Sequence, residues 1–183
     1  MLPRKIWHAS GILIVVVYGG LHVPRPLSAG LLLGIAALLL LLDLARHRSP
    51  TLQETFRRNL RLILDDKDLR GLNGSTLYFG GCALAVALFR KPPACAGILA
   101  LALGDPSAAI VGSLVRSPRW GRVSLAGSAA CFVAAALSAL LYFPWPVALA
   151  GGAAATLLEA LAGSKLDNLA IPVGTALVLG AGW

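Results

Sequence analysis

The run Leu27-Ser-Ala-Gly-Leu-Leu-Leu-Gly-Ile-Ala-Ala-Leu-Leu-Leu-Leu-Leu-Asp-Leu44 carries one ionisable side chain, Asp43, close to its end. A helix of this run has no polar face to turn to water. Its length approaches the roughly 20 apolar residues that carry a helix across a bilayer. It therefore reads as a membrane span, and it sets the fold class for its neighbours.

Six further apolar stretches flank it: Ile6–Gly20, Leu72–Phe89, Pro93–Val115, Ser124–Tyr142, Trp145–Leu161 and Asn168–Gly182. Pro24, Pro26, Pro92, Pro93, Pro144 and Pro146 fall at or between their ends, where proline starts or stops helices. The 183 residues are 57% hydrophobic and 13% charged, with a mean hydropathy of +0.78. Soluble chains carry about twice that charge. The expectation is an all-α polytopic membrane protein of about seven transmembrane helices, forming one integral-membrane domain over residues 1–183. No cleavable leader is expected, because the first apolar run lacks a small-residue cleavage site.

Thr51–Leu64 differs from these runs. Leu52, Phe56, Leu60 and Ile63/Leu64 recur at helical spacing, with Arg57, Arg58 and Arg61 largely off that stripe. The pattern predicts a basic amphipathic helix, lying in the headgroup plane or docked on other spans. Asp65–Arg70 reads as a charged loop.

The formal charge is +8, and 12 of the 16 basic residues are Arg. They sit in short loops, which favours anionic headgroups and topology over nucleic acid as the explanation. With seven alternating spans, thirteen basic residues fall on one side and three (Arg25, Arg90, Lys91) on the other. The positive-inside rule makes the first side cytoplasmic. The chain is then expected in the inner membrane of a prokaryote, N-terminus inside. Trp7, Trp120, Trp145 and Trp183 fall at interfaces, where aromatic anchors belong. Cys82, Cys95 and Cys131 form no close-spaced pair and read as thiols packed among helices.

Ionisable groups within spans are costly, so each is a functional candidate. His8, Asp43, Asp105, Glu159 and Asp167, with Asn73 and Asn168, all fall in the cytoplasmic half or at its edge. That one-sidedness was not used to orient the chain, and it supports a polar site facing the cytoplasm. In Leu103-Gly-Asp-Pro-Ser-Ala-Ala-Ile-Val-Gly112 the Gly-Asp-Pro triplet interrupts an apolar run. Proline disfavours helical geometry at the preceding residue. A break or kink at Asp105 is expected, with freed amides and Ser107 available to phosphate and Asp105 available to Mg²⁺. A kinked helix with Asp105 paired to an arginine is the plainer alternative. In Glu159-Ala-Leu-Ala-Gly-Ser-Lys-Leu-Asp-Asn168, Asp167 and Asn168 suit a helix N-cap, which leaves Glu159 unexplained. Arg4, Lys5 and His8 share one helix face, as interface anchors or as phosphate contacts.

Four blocks, Arg4-Lys5-Ile-Trp-His8, Leu72-Asn-Gly-Ser-Thr-Leu-Tyr-Phe-Gly80, Leu103–Gly112 and Leu158-Glu-Ala…Leu166-Asp-Asn-Leu-Ala-Ile-Pro172, resemble in order those of the dolichol kinase/phytol kinase/CTP-dependent diacylglycerol kinase family. The resemblance spans nearly the whole chain. It implies transfer of the γ-phosphate of a nucleoside triphosphate, CTP foremost, to the hydroxyl of a membrane lipid alcohol: a polyprenol, a phytol-like isoprenoid or diacylglycerol. The implied catalytic residues are Asp105, Glu159 and Asp167, and the implied Mg²⁺ ligands are Asp105, Asp167 and Asn168. Lys5, His8, Asn73, Ser107, Arg116, Arg119, Arg122, Ser124, Gly127 and Lys165 would contact nucleotide or phosphate.

One block departs. Where the family carries Lys-Ser/Thr-x-Glu-Gly, this chain has Arg122-Val-Ser-Leu-Ala-Gly-Ser128, so Val123 and Ala126 stand at the lysine and glutamate positions. Two rival readings stay open: a small membrane transporter, and a catalytically inactive lipid-binding relative of the kinases.

Overall fold

The computed structural model describes residues 8, 10–59, 71–163 and 165–181. Among these residues the chain is all-α, with eight helices and one small hairpin of two two-residue strands, Arg119–Trp120 and Val123–Ser124. The helices are α1 (Gly11–Gly20), α2 (Arg25–Arg48), α3 (Pro50–Asn59), α4 (Gly74–Leu88), α5 (Lys91–Leu114), α6 (Leu125–Leu140), α7 (Trp145–Leu161) and α8 (Asp167–Ala181). Each of the seven apolar stretches is thus helical, with α2 running beyond Leu27–Leu44 at both ends. Residue 182 and the first part of the Ile6–Gly20 stretch, other than His8, lie outside the described residues. The amphipathic stretch is helical over Pro50–Asn59, and the rest of Thr51–Leu64 lies outside them.

Prolines open several of these helices. Pro26 in α2, Pro92 in α5 and Pro146 in α7 occupy the first turn, where no intrahelical N–H is required. By length and composition two helices, α2 and α5, can each cross a membrane; five shorter apolar helices have 10–17 residues.

Alpha5 runs through the middle. Residues 93–102 are all buried, with Cys95, Ile98, Ala100 and Leu101 fully enclosed. Around it α6, α7 and α8 pack in sequence, α4 packs on α8, and α2 lies outermost on α4. Small residues allow the close approaches. A methyl at Gly97 of α5 would collide with the Pro172 carbonyl of α8, and one at Gly81 of α4 would come within 2.6 Å of the Asn168 carbonyl. Pro172 has no N–H to offer that Asn168 carbonyl within the helix. The cysteines are free and buried, as their apolar settings predict.

The Gly-Asp-Pro triplet corrects one expectation. The helix does not break at Asp105, which keeps helical angles (φ −61°, ψ −47°). The five residues before it, Ala100–Gly104, form a π-helical turn instead. The Ala102 carbonyl has Pro106 as its ordinary i+4 partner and finds no N–H there, and the wide turn covers this position. No free helix N-terminus opens there for phosphate.

Apolar side chains face outward on most helices. In α2, Leu27, Leu31, Leu33, Leu38 and Leu41 are exposed, while Ser28, Ala29, Leu32, Asp43 and Arg46 are the buried residues. Exposed apolar side chains in this number mark a surface that contacts a membrane or another protein.

Candidate functional site

The polar side chains collect at one end of the bundle. His8 precedes α1, and its Nδ1 lies 3.5 Å from Asp105 Oδ2 on α5. Tyr78 of α4 holds His8 from the other side: its ring meets the imidazole edge-on at 5.2 Å between centroids, and its hydroxyl donates to the His8 carbonyl at 2.9 Å. Asp105 keeps about a quarter of its side chain exposed (26%) although it sits mid-helix.

Glu159 ends α7, and Asp167 and Asn168 begin α8. The chain turns between them at Gly163, whose φ of +80° lies in the left-handed region that glycine enters without penalty. Arg122 reaches across this turn. Its Nη1 lies 3.4 Å from Asp167 Oδ2, and its Nη2 donates to the Glu159 carbonyl. Glu159 lies within electrostatic range of Asp105, Asp167 and Arg122, and Asp167 within range of Asp105 and Arg122. Two carboxylates, Glu159 and Asp167, thus share Arg122 while a third, Asp105, lies within range of both, an arrangement that favours an added cation.

Two acceptor atoms sharpen this. Glu159 Oε2 and Asn168 Oδ1 are buried and have no hydrogen-bond partner among the described residues. Leaving such atoms unpaired costs about 1–3 kcal/mol each. Hard oxygen donors with spare lone pairs suit Mg²⁺, which takes one or two protein carboxylates and fills its octahedron with water and phosphate oxygens. Among the described residues no group of three or more His, Cys, Asp or Glu side chains could enclose a metal by itself. An ion held by these oxygens would need further ligands from outside the described residues.

Other predicted residues have local tasks. Ser124 caps α6, its Oγ accepting from the Gly127 amide at 3.1 Å. Gly127 is where α6 meets α5; a methyl there would lie 2.7 Å from the Ala108 carbonyl. Asn73 caps α4 through the Ser75 amide at 3.1 Å. Arg119 donates to the Gly112 carbonyl at 3.3 Å, close to the end of α5. Lys165 Nζ donates to the Leu72 carbonyl at 2.9 Å. Arg116 is exposed, and Ser107 is half-buried on α5 two residues from Asp105, off its helical face. Lys5 lies outside the described residues.

The sequence reading missed two side chains. By sequence Arg46 is one of the basic residues between two apolar runs, yet it is buried and paired with Asp43 through Nε–Oδ1 at 2.8 Å. Its i, i+3 spacing from Asp43 was the available signal. Tyr78 had no such signal, because its partner comes from a distant part of the chain.

Fold and site together define an all-α bundle with an apolar exterior and an acidic, arginine-braced polar cluster at one end. The chain is 35% identical over 144 residues to the uncharacterized protein RP860 of Rickettsia prowazekii (strain Madrid E), covering 76% of this chain and 70% of that one. It belongs to the family that includes this rickettsial protein. No family model matches the sequence, and no solved structure matches it.

Proposed function

We propose that this protein is an integral-membrane lipid-alcohol kinase that moves the γ-phosphate of a nucleoside triphosphate, CTP foremost, to a lipid hydroxyl. It would resemble the dolichol kinase/phytol kinase/CTP-dependent diacylglycerol kinase family. The observation that carries this reading is the convergence of His8, Asp105, Arg122, Glu159, Asp167 and Asn168, from five parts of the chain, into one polar cluster in an apolar bundle.

The seven apolar helices serve as the spans. At 1.5 Å per residue, the 15-residue helices α4 and α8 measure about 22 Å. That is short of the roughly 30 Å hydrocarbon core, so flanking residues or local thinning make up the rest. The exposed leucines of α2 meet lipid, and α3 lies at the cytoplasmic surface. The basic end, with the polar cluster, faces the cytoplasm of a prokaryotic inner membrane.

In this reading the lipid enters from the side with its hydroxyl at the cytoplasmic interface. Arg116, Arg119 and Arg122 draw in the triphosphate. Asp105, Asp167 and Asn168 would hold Mg²⁺, which when bound offsets phosphate charge. Glu159 accepts the hydroxyl proton as the alcohol oxygen bonds to the γ-phosphorus and the bond to the leaving nucleoside diphosphate breaks. His8 steadies Asp105. Phosphoryl transfer asks mainly for positioning and electrostatic stabilisation, which such a cluster supplies.

Purified protein given labelled CTP or ATP, Mg²⁺ and a panel of polyprenols, phytol and diacylglycerol tests the reading. We expect label in one lipid, and a loss of about a hundredfold on Asp105→Asn. No labelled lipid with any pair would end it.

One observation favours a second reading. Arg122 is already engaged by Asp167 and the Glu159 carbonyl, and Val123 and Ala126 stand where the kinases carry Lys and Glu. An inactive lipid-binding relative would bind nucleotide without turnover.

A further inference from the structure

Residues 71–74 lead into α4, and each of the four is held by a side chain from elsewhere. The Gly71 carbonyl accepts from Arg46 Nη2 at 2.6 Å, and the Leu72 carbonyl from Lys165 Nζ at 2.9 Å. The Asn73 amide donates to Asp43 Oδ2 at 2.8 Å, and the Gly74 carbonyl accepts from Asn168 Nδ2 at 3.3 Å. Two holders belong to α2. The other two are Lys165, in the turn between α7 and α8, and Asn168, in the first turn of α8 beside the candidate site.

Asp43 and Arg46 are each only 2% exposed. Asp43 Oδ1 accepts from Arg46 Nε, and Oδ2 accepts from Thr76 Oγ1 at 2.8 Å as well as from Asn73. Arg46 also meets Gln53 and the Phe56 ring of α3. Removing two charges from solvent is expensive, and apolar residues of similar size often stabilise as well. Stability alone therefore gives no reason for this pair. Its geometric effect is specific: it fixes residues 71–74 from one side while Asn168 leans on them from the other.

That contact also sets which way Asn168 points. A carbonyl only accepts, so the amide edge at Gly74 must be Nδ2, and Oδ1 is turned to the opposite edge. Oδ1 is the buried acceptor with no hydrogen-bond partner among the described residues.

We propose that Asp43 and Arg46 are positioning residues for the candidate site. Through residues 71–74 they hold the Gly74 carbonyl where it orients Asn168 and leaves Oδ1 available to a cation. The inference rests on the cation-and-phosphate reading of that site. Partners one step behind a metal ligand typically change metal affinity 10- to 100-fold when removed.

Mn²⁺ binding with CTP, followed by electron paramagnetic resonance on the full chain in nanodiscs, is the first measurement. Asp43→Asn and Asn168→Ala should each weaken Mn²⁺ binding by about tenfold or more. The double variant should bind no more weakly than the weaker single one, because both act on one contact. Hydrogen exchange is the second measurement. In Asp43→Asn it should speed up over residues 71–76 and also over 165–170. Wild-type Mn²⁺ affinity with unchanged exchange over 165–170, or fully additive losses, would overturn the proposal. If Asp43→Asn does not fold, Thr76→Val removes one bond to Oδ2 without touching the charge pair, and the same outcomes apply. If the wild type binds no Mn²⁺ with any nucleotide, the kinase reading fails, while exchange over 165–170 still decides the positional link.

Discussion

Arg122 and Asp43 are the two charged residues whose partners say most about the molecule. Arg122 bridges Asp167 and the Glu159 carbonyl, with about a third of its side chain (35%) exposed. In the proposed reaction it turns from those groups toward the triphosphate. Arg122→Gln should then raise the nucleotide KM by about tenfold, consistent with the loss of one charge-assisted contact, with a smaller effect on kcat. Steady-state kinetics at fixed lipid check this, and an unchanged KM would remove Arg122 from nucleotide binding. Asp43 behaves differently because it is enclosed. Asp43→Ala leaves the Arg46 guanidinium buried without its counter-charge, which costs about 3–5 kcal/mol. A thermal melt in detergent should show a large drop. A melt close to wild type would mean that water reaches Arg46.

At the scale of elements, α5 is decided by Pro106 and Gly97. Pro106→Ala restores the missing amide, so the π turn over Ala100–Gly104 should revert to regular α-helix. One residue of register turns a helix by roughly 100°. Asp105 would swing away from His8, and lipid phosphorylation should fall although the melt stays level or rises. Equal activity in Pro106→Ala would mean that the π turn does not aim Asp105. Gly97→Val tests packing alone. Its side chain would enter the Pro172 carbonyl of α8, an overpacking that costs about 1–3 kcal/mol, read as a lower melting temperature.

The whole molecule is an apolar bundle whose described carboxylates lie toward one end, with Arg25, Arg90 and Lys91 at the other. Single cysteines at Arg119 or Trp120 should react with a membrane-impermeant maleimide only from the cytoplasmic face. Cysteines at His22 or Trp145 should react only from the other face, in a background lacking the three native thiols. Labelling of both sets from one side would overturn the seven-span topology and, with it, the route by which a cytoplasmic nucleotide reaches Asp105.

Much of this was legible in the chain. A long apolar run announces a helix wherever it packs, since backbone groups removed from water must bond within the segment. The seven helices therefore follow from local composition, and so does the gathering of His8, Asp105, Glu159, Asp167 and Asn168 near one edge. Helix packing decided what each polar group touches. Asp43 meets Asn73 across 30 residues, and Arg122 meets Asp167 across 45. The approach of His8 to Asp105 and the link from Asp43 through residues 71–74 to Asn168 both depend on how distant segments come together. Hydrophobicity belongs to a residue and can be read one position at a time. A hydrogen bond belongs to a pair, and its second member is known only once the bundle has closed.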